Sequence, residues 1–177
     1  EVTVTTNGTQ LPLMAEALYT AGVRRVNVSL DTLKRGAFAE ITRRDSLSKV
    51  MDGIDAALKA GLKVKINTVA LKGKNECEIS EILEWCVQKG LDLTLIETMP
   101  LGTVDDAREN TYLPLTTVLE ELGQNFKLLS NTYRTGGPAR YYSIDGSDSK
   151  LGLITPLTNN FCDGCNRVRV TCSGRIY

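Results

Sequence analysis

Apolar residues recur along the first hundred positions in two alternating patterns. Short β-branched or alternating runs, typical of strands, are separated by stretches in which apolar residues recur every three to four positions, typical of helices. Three of the helical stretches end at a glycine, Gly22, Gly61 or Gly90, and a strand begins one or two residues later. This order predicts βαβαβαβ, in which parallel strands are joined by right-handed crossovers.

The bounds of the predicted elements follow from these patterns. The predicted strands of the first part cover residues 2–6, 23–30, 62–71 and 91–97. The predicted helices run from Leu11 to the stop at Gly22, over 33–42, from a cap at Asp45 or Ser46 to Gly61, and over 78–89. The sequence of residues 101–177 predicts a polar loop over 101–110 and a helix over 114–122 that ends at Gly123. It also predicts strands over 126–129, 139–144 and 151–155.

The repeated βα unit sets the predicted fold class. A parallel α/β set belongs either to an open doubly wound sheet or to a barrel, and no glycine-rich nucleotide loop follows any of the strands. We therefore predict a partial TIM-like (β/α) barrel of four βα units in residues 1–100. Residues 101–177 are predicted to form a C-terminal α+β region.

Composition narrows the class of protein further. Lys and Arg together number 21, as do Asp and Glu, so the chain has no overall basic field for nucleic acid. No stretch approaches the roughly 18 apolar residues of a membrane span, and no signal peptide is recognisable, so we expect a cytoplasmic protein. Histidine is absent, which excludes histidine-based catalytic triads and histidine-ligated metals.

Candidate chemistry lies where the predicted strands end, because catalytic residues of barrels gather at the carboxyl ends of the strands. Lys65 is the most informative, since Val64 and Ile66 alternate with it and would face the helices. A lysine directed into a barrel is costly unless it meets an anion or forms a Schiff base. The other residues at the strand ends are Thr5, Thr6, Asn7, Ser29, Asp31, Asn67, Glu97 and Met99.

The C-terminal stretch carries the densest chemistry. Cys162 and Cys165 form a C-x-x-C pair, and Arg167 and Arg169 follow two residues apart, on one side of an extended segment. Two thiolates beside two fixed cations suit an anionic ligand held against a metal. A structural zinc knuckle and a redox pair remain alternatives, because C-x-x-C alone is not specific.

Five segments in order resemble one family, the radical S-adenosylmethionine GTP 3′,8-cyclases of molybdenum cofactor biosynthesis. They are Thr5-Thr-Asn-Gly8, Asn27-Val-Ser-Leu-Asp31, Lys63-Val-Lys-Ile-Asn-Thr-Val69, Ile96-Glu-Thr-Met99 and Phe161-Cys-Asp-Gly-Cys-Asn-Arg-Val-Arg169. The resemblance implies an incomplete (β/α)6 barrel, of which these four strands are the third to sixth, followed by a region with a second iron–sulfur cluster.

The resemblance also implies site residues and a reaction. Thr5, Lys65, Arg167, Val168 and Arg169 are implied GTP contacts. Ser29 and Met99 are implied S-adenosylmethionine contacts, and Cys162 and Cys165 are two implied ligands of the C-terminal [4Fe–4S] cluster. The implied reaction begins when a 5′-deoxyadenosyl radical removes H3′ of GTP. C3′ then attacks C8 and gives (8S)-3′,8-cyclo-7,8-dihydroguanosine 5′-triphosphate.

The chain departs from the family pattern at both ends. The family's N-terminal C-x-x-x-C-x-x-C, which holds the radical-generating cluster, is absent, and the third cysteine of the second cluster would fall just beyond Tyr177. We therefore expect a fragment of a longer protein with two [4Fe–4S] clusters, inactive on its own. The family further implies a homodimer that passes its product to the cyclic pyranopterin monophosphate synthase.

Three other functions fit parts of the sequence. Another radical enzyme with a C-terminal auxiliary cluster would share the barrel and the paired cysteines, although Asn166-Arg-Val-Arg169 argues against it. A zinc-binding module on a half-barrel would share only the cysteines. A lysine-dependent barrel lyase would use Lys65 as a Schiff base.

Overall fold

The computed structural model describes residues 2–98, 111–157, 168 and 170–176. The strands are β1 Thr3–Thr6, β2 Arg25–Ser29, β3 Lys63–Val69, β4 Asp92–Ile96, β5 Leu128–Asn131, β6 Arg140–Ile144 and β7 Lys150–Ile154. The helices are α1 Leu11–Thr20, α2 Arg35–Thr42, α3 Leu47–Lys59, α4 Ile79–Lys89 and α5 Leu115–Asn125, with a 3₁₀ turn at Glu76–Glu78 before α4.

The strands form one mixed sheet in the order β1-β2-β3-β4-β7-β6-β5. Strands β1 to β4 are parallel in chain order, as the βα repeat predicts, and β7 continues the parallel set beside β4. Strands β6 and β5 follow as antiparallel neighbours. The carboxyl ends of β1 to β4 therefore meet at one edge of the sheet.

The two faces of the sheet differ sharply in polarity. One face presents residues such as Val26, Val28, Ile66 and Leu93, which are fully buried and belong to a core shared with the apolar sides of the helices. The opposite face presents polar residues at the alternate positions, because side chains alternate along each strand. A half-polar parallel sheet therefore leaves one surface suited to ligands rather than to packing.

Most predicted bounds agree with the structure to within two residues. Gly22, Gly61 and Gly90 follow their helices with positive φ, the conformation that glycine adopts without strain. The prediction that α5 ends at Gly123 is wrong, because the helix continues to Asn125. Beyond Gly123, Phe126 packs against the core and donates its main-chain N–H to the oxygen of Leu122 at 2.9 Å, which outweighs the roughly 1 kcal/mol that an interior glycine costs a helix.

The predicted cap of α3 is correct in position but not in mechanism. Ser46 is the N-cap residue, yet its side chain makes no capping hydrogen bond. Asp45 is not a cap, because its carboxylate accepts two hydrogen bonds from Arg35, at 2.8 and 2.6 Å. Among the described residues, no helix has the length and apolar character needed to cross a bilayer.

Candidate functional site

The strand register aligns seven polar side chains of the face opposite the helices in two rows. The first row joins Thr5, Asn27, Lys65 and Asp92 across β1 to β4. The second row, two residues closer to the carboxyl ends, joins Ser29, Asn67 and Thr94 across β2, β3 and β4. Hydroxyl, amide, ammonium and carboxylate groups thus line one continuous surface, and the face that carries these rows is called the polar face below.

Several atoms of the polar face have unused hydrogen-bonding capacity. Asn27 donates from Nδ2 to Thr5 Oγ1 at 3.3 Å, but Asn27 Oδ1 is buried without a partner in the described part of the chain. The same holds for Asn67 Oδ1 and for Thr94 Oγ1. Buried polar atoms nearly always have partners in native proteins, so these three atoms on one face are free to pair with ordered water or with a polar ligand.

Lys65 lies on this face with only 9% of its surface exposed. Its ammonium group donates a hydrogen bond of 3.5 Å to the hydroxyl of Tyr141, which comes from β6. Lys63, two residues earlier on the same face, is exposed at the start of the strand. The prediction that Lys65 points away from the helices is therefore confirmed, and a largely desolvated cation is placed beside the unpartnered acceptors.

A cleft of 590 Å³ opens beyond the polar face, at the carboxyl ends of β1 and β2. Ser29 belongs both to the polar face and to the wall of this cleft, so the two features are continuous. Arg44 and Lys49 bring positive charge to the cleft, and Asp31 brings a carboxylate. The remaining lining side chains are Asn7, Thr9, Gln10, Phe38, Thr42, Ser46 and Val50.

Asp31 is held at the rim of the cleft by the neighbouring strand. Its Oδ1 accepts the main-chain N–H of Val69 at 2.8 Å. Burial raises the pKa of this carboxyl above its usual value, and the hydrogen bond from Val69 opposes that shift in part. Asp31 thus joins the ends of β2 and β3, rather than capping the helix that follows.

The loops behind the cleft are fastened by buried polar side chains. Asn75 is fully buried and donates to the main-chain oxygens of Asp31 and Val69, at 2.7 and 2.9 Å. Glu78 is also buried, accepts a hydrogen bond of 2.6 Å from Thr32 Oγ1, and lies 3.6 Å from the ammonium of Lys34. The rim of the cleft is therefore set by contacts that are distant in the sequence.

Glu97, one of the residues at the predicted strand ends, has a structural role. Its carboxylate accepts the main-chain N–H of Leu115, the first residue of α5, at 3.0 Å, and that of Leu157 at 3.4 Å. A carboxylate at a helix N-terminus satisfies an unpaired N–H and is favoured by the helix dipole. Glu97 thereby connects β4, α5 and the segment after β7.

The structure brings together only part of the predicted site. Thr5, Ser29 and Lys65 share the polar face, and Val168 is described as an exposed residue, with 69% of its surface accessible. The other predicted contacts, Met99, Cys162, Cys165, Arg167 and Arg169, lie outside the described residues. Among the residues described, no group of three or more acidic, cysteine or histidine side chains is placed to hold a metal.

Sequence reasoning missed four residues of this region. Asn75 and Tyr141 carried no signal, because their partners lie 44 and 76 residues away in the chain. Arg44 and Lys49 lie in or beside helices, where a charged residue is ordinarily solvated. The sequence placed Arg44 in the loop between α2 and α3 correctly, but it gave no sign that this loop lines a cleft at the ends of β1 and β2.

Two family models match successive parts of the chain. The radical SAM superfamily model matches residues 1–86, and the molybdenum cofactor synthesis C model matches residues 91–177. The GTP 3′,8-cyclases of Sinorhizobium medicae and Rhizobium meliloti are each 56% identical over all 177 residues, which cover 51% of either protein. The GTP 3′,8-cyclase of Erythrobacter litoralis is 55% identical over 177 residues, or 53% of its length.

The chain is a homologue of these GTP 3′,8-cyclases. It spans about half the length of the curated relatives it matches. The radical SAM superfamily implies an iron–sulfur cluster and S-adenosylmethionine. The resemblance seen in the sequence motifs is confirmed at the level of the whole chain.

Proposed function

We propose that this chain is the half of a GTP 3′,8-cyclase that carries one wall of the substrate site. The proposed reaction, in molybdenum cofactor biosynthesis, converts GTP to (8S)-3′,8-cyclo-7,8-dihydroguanosine 5′-triphosphate. The observation that carries the proposal is the polar face, where desolvated Lys65 lies beside unpartnered buried acceptors. The proposal is also supported by 56% sequence identity to a protein that is named GTP 3′,8-cyclase.

The proposed architecture is a partial (β/α)6 barrel in residues 1–100 and a C-terminal cluster region in residues 101–177. The parallel order of β1 to β4, with the described helices packed on the apolar face, supports a barrel whose interior is the polar face. A TIM-like barrel places its chemistry at the carboxyl ends of the strands, where the cleft opens. β7 extends the same sheet, so the two regions share a core.

GTP is proposed to lie against the polar face. Lys65 supplies a point charge to the triphosphate, and Thr5 supplies a hydroxyl from the same row, two strands away. Arg167 and Arg169 would add bidentate contacts to phosphate, with Val168 between them. A triphosphate is strongly anionic, so several cations converging on one face would lower the cost of its desolvation.

S-adenosylmethionine is proposed to occupy the adjacent cleft, with contacts from Ser29 and Met99. When bound, it supplies the 5′-deoxyadenosyl radical that removes H3′ from the substrate. Ser29 offers a hydroxyl on the boundary between the cleft and the polar face, which suits a group that must approach the sugar of GTP. Cys162 and Cys165 are proposed as two ligands of a second [4Fe–4S] cluster beside the guanine base.

The wider setting is also a proposal. We place the full-length enzyme in the cytoplasm as a homodimer with two [4Fe–4S] clusters, without nucleic-acid or membrane partners. Its product would pass to the cyclic pyranopterin monophosphate synthase. The balance of acidic and basic residues supports the absence of nucleic-acid binding, because any anion site must then be local.

The decisive experiment compares two lysines of the same strand in the full-length, cluster-loaded protein. Lys65→Met removes the desolvated cation, whereas Lys63→Met removes an exposed cation from the same face. We expect Lys65→Met to raise the KM for GTP roughly 10- to 100-fold, the range of a hydrogen bond to a charged group, and Lys63→Met to change it less than about twofold. Product and 5′-deoxyadenosine are measured by chromatography.

Two results would contradict the proposal. If the unmodified enzyme forms no 5′-deoxyadenosine in response to GTP, the reaction itself is wrong. If Lys65→Met and Lys63→Met have equal KM values for GTP, the polar face is not the wall that binds the triphosphate.

A further inference from the structure

Tyr141 is a buried aromatic residue of β6 that extends across the polar face. Only 2% of its surface is exposed. The register aligns Tyr141 with Gly152 of β7, Gly152 with Thr94 of β4, and Thr94 with Asn67 of β3. Neighbouring strands lie about 4.8 Å apart, so the side chains of Tyr141 and Lys65 must reach toward each other over two intervening strands.

The absence of a side chain at Gly152 makes this reach possible. A Cβ atom at that position would lie 3.0 Å from Tyr141 Cε1 and 3.0 Å from Thr94 Oγ1. Cβ atoms are rarely so close to other heavy atoms, so either the tyrosine ring or the threonine would have to move. Gly152 therefore opens a shallow passage in the sheet surface, and the ring of Tyr141 occupies it.

The Tyr141 hydroxyl forms hydrogen bonds with two side chains. A protonated lysine has three donors and no acceptor, so Lys65 must donate to Tyr141 Oη across their 3.5 Å contact. Thr135 Oγ1 lies 3.3 Å from Oη, and either of these two hydroxyls can be the donor. Tyr133 packs edge-on against the same ring, with the two ring centroids 5.0 Å apart, and limits its rotation.

We propose that Tyr141 is a positioning residue for Lys65, an inference that rests on the proposed role of Lys65 in binding GTP. A lysine side chain has four rotatable bonds and loses much of its freedom when it meets a phosphate. A hydroxyl that already holds the ammonium over the polar face reduces the ordering that the ligand must impose. Tyr141, from the C-terminal region, thus orients the ammonium group of Lys65, from the βα region, before the anionic ligand binds.

The test measures GTP binding to the full-length protein by calorimetry, without S-adenosylmethionine or reductant, so that no turnover occurs. Tyr141→Phe keeps the buried ring and removes only the hydroxyl. Tyr142→Phe is the matched control, because this neighbour lies on the opposite, helix-covered face and packs against the core. Thr135→Val is a second variant, which removes the hydroxyl that forms a hydrogen bond with Tyr141 Oη and leaves Tyr141 intact.

We expect Tyr141→Phe to weaken GTP binding about three- to tenfold, the range of one modest buried hydrogen bond, and Thr135→Val to weaken it in the same direction but less. Tyr142→Phe should leave the Kd for GTP within about twofold, and none of the three should change the Kd for S-adenosylmethionine. In the Lys65→Met background, Tyr141→Phe should have no further effect, because the group that it positions is gone.

The outcomes separate this inference from the proposed function. If Lys65→Met weakens GTP binding but Tyr141→Phe does not, the positioning role is overturned and the GTP site stands. If the two substitutions are additive, Tyr141 acts on something other than Lys65, and the positioning role is again overturned. If Lys65→Met binds GTP like the unmodified protein, both the GTP contact and the positioning role are wrong.

Discussion

The side-chain nitrogen of Asn75 lies 2.7 Å from the main-chain oxygen of Asp31, although the two residues are 44 positions apart. The same nitrogen donates to the oxygen of Val69 at 2.9 Å, and Oδ1 accepts the N–H of Leu71 at 2.8 Å. One fully buried amide thereby fastens the ends of β2 and β3 and fixes the rim of the cleft. Buried main-chain groups need such partners, because water cannot reach them.

Asn75→Ala should destabilise the protein strongly. The substitution removes three hydrogen bonds and leaves buried main-chain groups without those partners, which should cost about 3 kcal/mol or more. Urea unfolding followed by circular dichroism measures the change. Gln88→Ala, which removes one long hydrogen bond from an exposed helix surface, is the control and should change the unfolding free energy by less than about 0.5 kcal/mol. Equal effects of both substitutions would contradict the role of Asn75.

Gly53→Ala should destabilise the protein, whereas Gly123→Ala should stabilise it. Both glycines lie inside helices, where alanine is ordinarily better by about 1 kcal/mol. A Cβ at Gly53, however, would lie 2.2 Å from the main-chain oxygen of Gly8, so α3 would have to move away from the loop after β1. The unfolding free energy of Gly53→Ala should therefore be about 1–3 kcal/mol lower than that of the unmodified protein.

The control glycine has no such neighbour. A Cβ at Gly123 would meet no atom within 4 Å, so the helix propensity of alanine should be realised in full. Thermal unfolding of the two variants should therefore shift in opposite directions. A shift in the same direction for both would mean that α3 does not pack as closely against Gly8 as the structure has it.

Asp31→Asn should remove a pH-dependent penalty on stability. Burial raises the pKa of Asp31 in the folded protein above its unfolded value of 3.8. The folded state therefore binds the proton of Asp31 more tightly than the unfolded state does. The unfolding free energy falls as the pH rises and Asp31 is forced to ionise in the folded protein. The amide oxygen of asparagine can still accept the N–H of Val69, but it does not ionise. The unfolding free energy of the variant, relative to the unmodified apoprotein, should thus increase between pH 4 and pH 7.

Asp45→Asn is the control for this pH dependence and should show the opposite sign. The hydrogen bond from Arg35 lowers the pKa of Asp45, so its contribution is present above the unfolded value and is lost on acidification. Asp45→Asn should therefore be less stable than the unmodified protein near neutrality, and the gap should shrink as the pH falls. Urea titrations across this pH range measure both variants. A flat difference for Asp31→Asn would show that its carboxyl is not desolvated.

Cys86 should resist alkylation in the folded protein, while Cys77 should react readily. Burial in the core raises the pKa of the Cys86 thiol, and the nearby charge of Asp92 raises it further. The thiolate is the reactive form, so Cys86 is both inaccessible and protonated, whereas Cys77 is exposed. Iodoacetamide labelling at pH 8 followed by peptide mass spectrometry should modify Cys77 first and Cys86 only after unfolding. Native labelling of Cys86 at the rate of Cys77 would contradict its place in the core.

Local patterns accounted for the elements but not for all of their ends. The alternation around Lys65 was enough to place its side chain on the face opposite Val64 and Ile66. Gly90 ends α4, as predicted, and the structure shows it in a left-handed conformation. Gly123 did not end α5, because tertiary packing, which a short stretch of sequence does not reveal, outweighed the low helix propensity of glycine.

The sequence by itself determined the βα order, the parallel first four strands, the direction of Lys65 and the family motifs. These properties depend on the local periodicity of apolar residues and on short sequence motifs, both of which are present in the sequence itself. Only the tertiary structure decided that β7 lies beside β4, that Asn75 holds the loop of Asp31, and that Tyr141 meets Lys65 through the gap at Gly152. Such contacts join residues far apart in the chain, and their partners are chosen by the packing of the whole sheet rather than by local preference.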